Sequence, residues 1–272
     1  MPYLTDTAIC LRVVDFSETS QIAAMFTQAH GLVPMIAKGA KRQSKTGLGK
    51  MSGPLDLLAA GEVVFMPAKT GAELATLAGW QLADQRNNLR QNLPALNAAC
   101  IAAEITLAVL HPLDPHPDLF AQLQATLDLA STAERPRAVV AYAKAALTAA
   151  GYQPQLEVCV GCGEMVSMEG AYIYLPAAGG VRCRTCSGVN SQKNRRSMEV
   201  RGRIAIALGR LASPAELRQN TPERSADAKA LGSAMLLLLF QIESLLEREL
   251  RTRVLLESVF GSGVGIGVIR VR

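Results

Sequence analysis

Two cysteine pairs, Cys159-Val160-Gly161-Cys162 and Cys183-Arg184-Thr185-Cys186, stand twenty residues apart in the pattern C-x2-C-x20-C-x2-C. No other feature of the chain restricts its fold as much. Four thiolates in two such pairs can close a tetrahedral shell around one ion, because each x-x step lets a tight knuckle aim both sulfurs inward. Gly161, Gly163 and Gly188 lie beside the cysteines and suit the left-handed backbone and close approach that knuckles need. Tyr172-Ile173-Tyr174-Leu175 predicts a strand between the pairs, Gly179-Gly180 a turn, and Val181-Arg182-Cys183 the return. Four cysteines fill the coordination sphere and leave no open position. The expectation is one structural Zn²⁺ on Cys159, Cys162, Cys183 and Cys186, rather than a catalytic ion or a redox dithiol.

The 272 residues, 49% of them hydrophobic, are enough for two or three domains with a sizeable core. Met1–Arg12 lacks a basic start followed by an apolar core, so no secretion signal is expected. The longest apolar run, Ala234–Phe240, is far short of the roughly 20 residues of a membrane span. Cysteines without a secretion signal point to a reducing, cytoplasmic setting and to metal rather than disulfides. Cys10 and Cys100 stand singly, on an expected strand and helix, and read as small core residues.

The net charge of +5 is unevenly spread. Residues 38–50 hold Lys38, Lys41, Arg42, Lys45 and Lys50 and no acid. Residues 182–203 hold Arg182, Arg184, Lys193, Arg195, Arg196, Arg201 and Arg203 against Glu199 alone. The remainder is therefore slightly acidic. Two local basic segments suit a polyanion, and their bland alternative is a pair of solvated loops. Arg12, on the outward face of the first strand, joins them as a candidate polyanion contact.

Residues 3–84 read as five short strands. In Thr7–Val14 the residues Ile9, Leu11 and Val13 share a face, and in Ser20–Thr27 so do Ile22, Ala24 and Phe26. Leu32–Lys38 follows, with Pro34 demoting it to an edge or bulge. Leu55–Met66 and Glu73–Leu82 complete the set, after a long basic loop at Gly39–Gly53. This predicts a small barrel of OB type. From residue 87 the period becomes helical: Leu96, Cys100, Ala103, Leu107 and Leu110, then Phe120, Leu123, Leu127 and Ala130. Pro136–Ala150 is a third helix, ended by Gly151. Ser213-Pro-Ala-Glu216 is a capping box, and Ala226 to about Arg251 a long helix with Met235, Leu238, Ile242, Leu245 and Leu246 on its apolar side. Glu104 reads as an exposed or paired carboxylate and Glu243–Arg253 as a solvated charged face. The fold class is thus α+β: an N-terminal five-stranded OB-fold barrel over 1–84, and an α-helical domain over 85–272 with an inserted four-cysteine zinc module at about 155–190.

No catalytic constellation emerges. Gly39–Thr46 resembles a phosphate-binding loop with Ser44 in place of its second glycine and no helix after it. His111 and His116 flank Asp114 in a proline-rich connection. No nucleophile elbow, H-E-x-x-H or paired carboxylates appear. The chain does not read as an enzyme.

Cys10-Leu-Arg-Val-Val-Asp-Phe-Ser-Glu18, Met25-Phe-Thr-Gln-Ala-His-Gly31 and Ile36-Ala-Lys-Gly-Ala-Lys-Arg42 together resemble the RecO recombination-mediator family. The likeness continues through Leu55-Asp-Leu-Leu, Asp114-Pro-His-Pro-Asp-Leu-Phe120, Gly151-Tyr, Cys-x2-Cys-Gly and Ala177-Ala-Gly-Gly-Val-Arg-Cys183, in unbroken order from about residue 3 to 190. It implies an OB-fold barrel followed by a helical domain with a zinc module. It implies binding of single- and double-stranded DNA, annealing of complementary strands and, with RecR, loading of RecA onto strands coated by single-stranded DNA-binding protein (SSB). The SSB tail, acidic and ending in an apolar residue, would need an apolar groove with a basic rim. The setting implied is the cytoplasm, at the nucleoid. The rival readings are a zinc-module OB-fold RNA-binding protein, a DNA-processing enzyme and a pure interaction scaffold.

Overall fold

The computed structural model describes residues 2–41, 51, 53–69, 71–188, 196–219 and 228–261. They fall into two compact units, one of residues 1–91 with 110–121, the other of residues 92–109 with 122–272.

The first unit is a closed barrel of β1 (Leu4–Asp15), β2 (Gln21–Thr27), β3 (Gly31–Ala37), β4 (Ala60–Met66) and β5 (Ala75–Asp84), ordered β1-β2-β3-β5-β4. All pairings are antiparallel except β3 to β5, where Met35 meets Ala75 and Ile36 meets Thr76. This is the expected OB-like barrel. Its interior is filled by Ala8, Cys10, Met25, Met35, Phe65 and Trp80, each nearly or wholly buried. Cys10 is the small core residue its sequence context implied. Ile9, Leu11 and Val13 do not share one face as expected. A bulge between Cys10 and Arg12 shifts the register, so Ala8 and Cys10 face inward before it and Val13 packs on the core after it. Pro34 sits within β3 in a sheet without edges. The parallel seam spans only Met35 and Ile36, so no ladder runs beside the proline on that flank.

The fourth strand starts later than expected. Leu58 adopts a left-handed backbone (φ 66°), donates its N–H to the Cys10 carbonyl at 2.7 Å and lies buried, while Gln21 clasps the N–H of Leu55 at 2.8 Å. Leu55–Ala59 is thus a buried turn serving the β1 bulge, not strand. A short helix α1 (Asn87–Arg90) follows β5. The segment 110–121 covers the outer side of β2 and β3: Phe120 meets Phe26 edge-on at 5.5 Å, and the N–H of Leu113 reaches the carbonyl of Leu32. His116 and Asp114 pair at 3.1 Å on the exposed side of that segment.

The second unit contains α2 (Leu93–Val109), most of α3 (Pro117–Leu129), α4 (Arg135–Ala149), α6 (Gly202–Gly209), α7 (Pro214–Gln219), α8 (Ala228–Leu246) and α9 (Leu256–Phe260). Between α4 and α6 lie β6 (Ala171–Leu175), β7 (Gly180–Cys183), α5 (Arg184–Ser187) and β8 (Met198–Arg201), the strands ordered β7-β6-β8. The deep face of α2 is Ala95, Ala98, Ala99, Ala102 and Ile105, whereas Leu96, Cys100 and Leu107 are only half-buried. Small residues let the neighbouring helices approach, which turns the larger ones to the periphery. α4 ends as expected: the N–H groups of Gly151 and Tyr152 bond the carbonyls of Thr148 and Leu147, with Gly151 at φ 80°. The capping box of α7 is reciprocal, Ser213 Oγ and N–H both donating to Glu216 and the Glu216 N–H returning to Ser213 Oγ.

α8 is shorter than expected, and Leu245 on it is exposed. Among the described residues its span Lys229–Leu246 is long and apolar enough to cross a membrane, yet 56% of it is buried within the unit. Glu243 and Arg253 are not part of a solvated face. They form a largely buried ion pair, and Glu243 also takes the N–H of Leu250. Desolvation raises the Glu243 carboxyl above its ordinary range, against the pull of Leu250 and Arg253. Glu104 is a paired carboxylate, accepting the N–H groups of Arg251 and Thr252 at 2.9 and 2.7 Å and the Thr252 hydroxyl at 2.6 Å. It thereby caps the 3-10 turn Arg251–Leu255.

Candidate metal centre and cationic surfaces

The sheet β7-β6-β8 brings the two cysteine pairs together. Cys183 ends β7 and caps α5, its sulfur accepting the Cys186 N–H at 3.4 Å. The N–H of Val160 bonds the carbonyl of Val181 at 2.9 Å, tying the first knuckle to the same strand. The Cys159 sulfur is buried and accepts N–H bonds from Gly161 at 3.4 Å and Cys183 at 3.3 Å. Cys162 is exposed and lies 3.9 Å, sulfur to sulfur, from Cys183. Gly161 is required by space, since a Cβ there would lie 2.9 Å from the Cys186 sulfur. Gly163 is required by its φ of 79°. Gly188 is ordinary helical backbone at φ −71°, contrary to expectation.

All four sulfurs lie within 4.8 Å of one another. A tetrahedral tetrathiolate shell with metal–sulfur bonds of about 2.3 Å separates its sulfurs by about 3.8 Å, so the arrangement fits one ion. The protonation chemistry points the same way. Burial opposes ionisation of Cys159, yet the N–H groups of Cys183, Cys162 and Gly161 bring its thiol down to about 6. Hydrogen bonding to the Cys183 and Cys162 sulfurs, with burial, pushes Cys186 up to about 12. At this spacing thiolates repel, and a central divalent cation is what lets all four ionise together. The four cysteines can hold one metal ion.

The expected DNA contacts divide between the units. Arg12, on β1, and Lys38, just past β3, are exposed. Lys41 is pinned to its surroundings: its ammonium contacts Asp15 at 2.5 Å and its N–H bonds Thr19. The Lys41 hydrogen bond holds the Asp15 carboxyl below its usual range. In the second unit Arg184, Arg196, Arg201 and Arg203 are exposed. Arg182 is half-buried on β7, in one row across the sheet with Ile173 and Glu199, and its Nε has no hydrogen-bond partner. Arg42, Lys45, Lys50, Lys193 and Arg195, and most of the phosphate-loop look-alike, lie outside the described residues.

Two features escaped the sequence reading. β8 lies inside the second basic segment, although Met198 and Val200 alternate with Glu199 and Arg201 as a four-residue strand should. A groove of about 340 Å³ opens between α4, α6, α7 and α8. Val140, Leu208, Leu211, Leu217, Leu231 and Ala234 line it, together with Arg137 and Arg210. Nothing in a linear sequence marks residues from four helices as one surface.

The architecture defines a class of protein: an OB-like barrel followed by a helical unit that carries a cluster of four cysteines able to hold one metal ion. Comparison with known families makes the assignment particular. A family model described as Recombination protein O N terminal matches residues 1–86, and one described as Recombination protein O C terminal matches residues 90–221. DNA repair protein RecO of Anaeromyxobacter sp. (strain Fw109-5) is 30% identical over 182 residues, 66% of this chain and 69% of that one. The protein of the same name from Rhodopirellula baltica is 30% identical over 223 residues, covering 81% and 79%. That from Symbiobacterium thermophilum is 27% identical over 210 residues, 75% of each. The chain belongs to the RecO family of DNA repair and recombination proteins.

Proposed function

We propose that the chain is a recombination mediator that binds DNA without regard to sequence and anneals complementary strands. With RecR it loads RecA onto single strands coated by SSB. The observation that carries this reading is family membership across both halves of the chain. Annealing requires two polyanions to be held close without fixing their bases, which Lys and Arg achieve through phosphates and counterion release. In this reading residues 1–84 are the DNA-binding barrel domain, with Arg12, Lys38, Lys41, Arg42, Lys45 and Lys50 as contacts. Residues 85–272 are the helical domain, with its zinc module at about 155–190 presenting Arg182, Arg184, Lys193, Arg195 and Arg196. The resident ion is Zn²⁺, held by Cys159, Cys162, Cys183 and Cys186, with a purely structural role. The protein works by binding, not turnover, in the cytoplasm at the nucleoid.

The groove between α4, α6, α7 and α8 supports the partner assignment. An acidic tail ending in an apolar residue would seat its end among Leu208, Leu211 and Leu231 and its acids by Arg210, Arg137 being already paired with Glu134. The test is annealing of complementary strands pre-coated with SSB, with and without RecR. Acceleration is expected, together with equal competition by DNA and no product of altered length when divalent metal is added. Preferential competition by RNA of the same length would favour an RNA-binding protein, and strand cleavage would favour a nuclease.

A further inference from the structure

The barrel has five aromatic side chains, and they divide sharply. Phe26, Phe65 and Trp80 are at most 2% exposed, whereas Tyr3 and Phe16 are each 62% exposed. Phe16 is not at a frayed end. It opens the turn joining β1 to β2, and that turn is closed by three hydrogen bonds: Phe16 N–H to the Ser20 carbonyl at 3.0 Å, Ser17 N–H to the same carbonyl at 3.2 Å, and Ser20 N–H to Ser17 Oγ at 3.1 Å. The ring is therefore presented to solvent by a fixed backbone.

Charges of both signs surround Phe16, with the cations in slight excess. Past the bulge, Arg12 and Val14 lie two residues apart on β1, both exposed, and Phe16 follows at the same interval just beyond the strand's end. The register sets Asp15, Gln21 and Ala37 in one row at this end of the barrel. Lys38 follows directly, and Lys41 reaches back to Asp15 and Thr19. Of the acids at the tip, Asp15 is spent on Lys41, and Glu18 is exposed in the turn. A rigid aromatic side chain on the strand face that carries Arg12, at the barrel end that carries Lys38, matches a nucleotide, whose base has a π-face and whose phosphate is an anion.

We propose that Phe16 is a stacking platform for one unpaired base, with the neighbouring phosphates of that strand on Arg12 and Lys38. This rests on the DNA-binding reading above. A base in a duplex is already stacked on both sides, so the ring adds affinity only for unpaired strands. The hairpin tip thereby favours single over double strands.

Binding by the full-length chain and its Phe16→Ala and Phe16→Trp variants is measured at one fixed salt concentration. The probes are oligothymidylate, a strand of equal length with abasic residues, and a duplex. Phe16→Ala is expected to weaken oligothymidylate binding about tenfold. It leaves the abasic strand and the duplex unchanged. Phe16→Trp retains affinity, and its indole fluorescence is quenched by oligothymidylate but not by the abasic strand. Equal losses on all three probes, or no loss on any, overturn the stacking role while DNA binding by the wild type stands; the latter result would assign the ring to a protein partner. A wild-type chain that binds no strand overturns both readings.

Discussion

Asp15 holds the ammonium group of Lys41, so on the proposed reading a DNA phosphate would have to compete with it. Replacing Asp15 by Asn releases the lysine and removes a repelling charge. DNA affinity at low salt should rise roughly two- to fivefold, the weight of one exposed ion pair, as measured by fluorescence anisotropy. Side-chain burial matters equally at the metal centre. Cys159 is the buried member of the four, with two N–H donors on its sulfur, so Cys159→Ser opens the proposed shell and gives those donors a neutral hydroxyl in place of a thiolate. Metal content should fall to zero and the melting temperature should drop markedly, since metal-coupled folding of isolated zinc modules is worth on the order of 10–16 kcal/mol. A metal-free variant of unchanged stability would refute the structural role. The cysteines were legible because their chemistry is written as spacing. The engagement of Lys41 was not, because a contact with a residue 26 positions earlier depends on a closed barrel.

Among the elements, caps were read well and faces less well. Ser213-Pro-Ala-Glu216 signals α7 through four adjacent residues, and a local signal survives folding unchanged. The Ser213 N–H and hydroxyl hold the Glu216 carboxyl below its ordinary value of 4.5. The folded state thus binds this proton less tightly than the unfolded chain. The stabilisation is present above pH 4.5 and is lost as pH falls through the lower folded value. Between pH 6 and pH 3 the wild type should therefore lose melting temperature more steeply than Glu216→Gln, and thermal scans across that range check it. The buried face of α2 and the inward residues of β1 were misjudged for a shared reason. Periodicity finds an apolar stripe, but which side is deepest depends on what packs there, and one bulge reverses the alternation. β8 was hidden because four residues with two charges carry too little pattern.

On the scale of the whole molecule, affinity without base readout has a thermodynamic signature. If about five phosphates are neutralised, log K for single strands should fall with log salt at a slope of roughly −3.5. A slope near zero would exclude a phosphate-driven mechanism. The barrel, the helical unit and the cysteine module were legible in outline, because strand punctuation, helical period and metal spacing are each local. The groove and the exposed Phe16 were not, since both are defined by what fails to cover them.

Glu104 has a consequence for how the chain is made. Its carboxylate waits for the N–H groups of residues 147 and 148 positions downstream. At about 5–20 residues per second, a ribosome delivers them on the order of 10 s after α2 has emerged. The barrel unit, complete at residue 121, can close during that interval, whereas the helical unit stays unfinished until Thr252 is translated. Premature release of the nascent chain should therefore yield a folded barrel attached to an open set of helices, a natural substrate for chaperones and proteases.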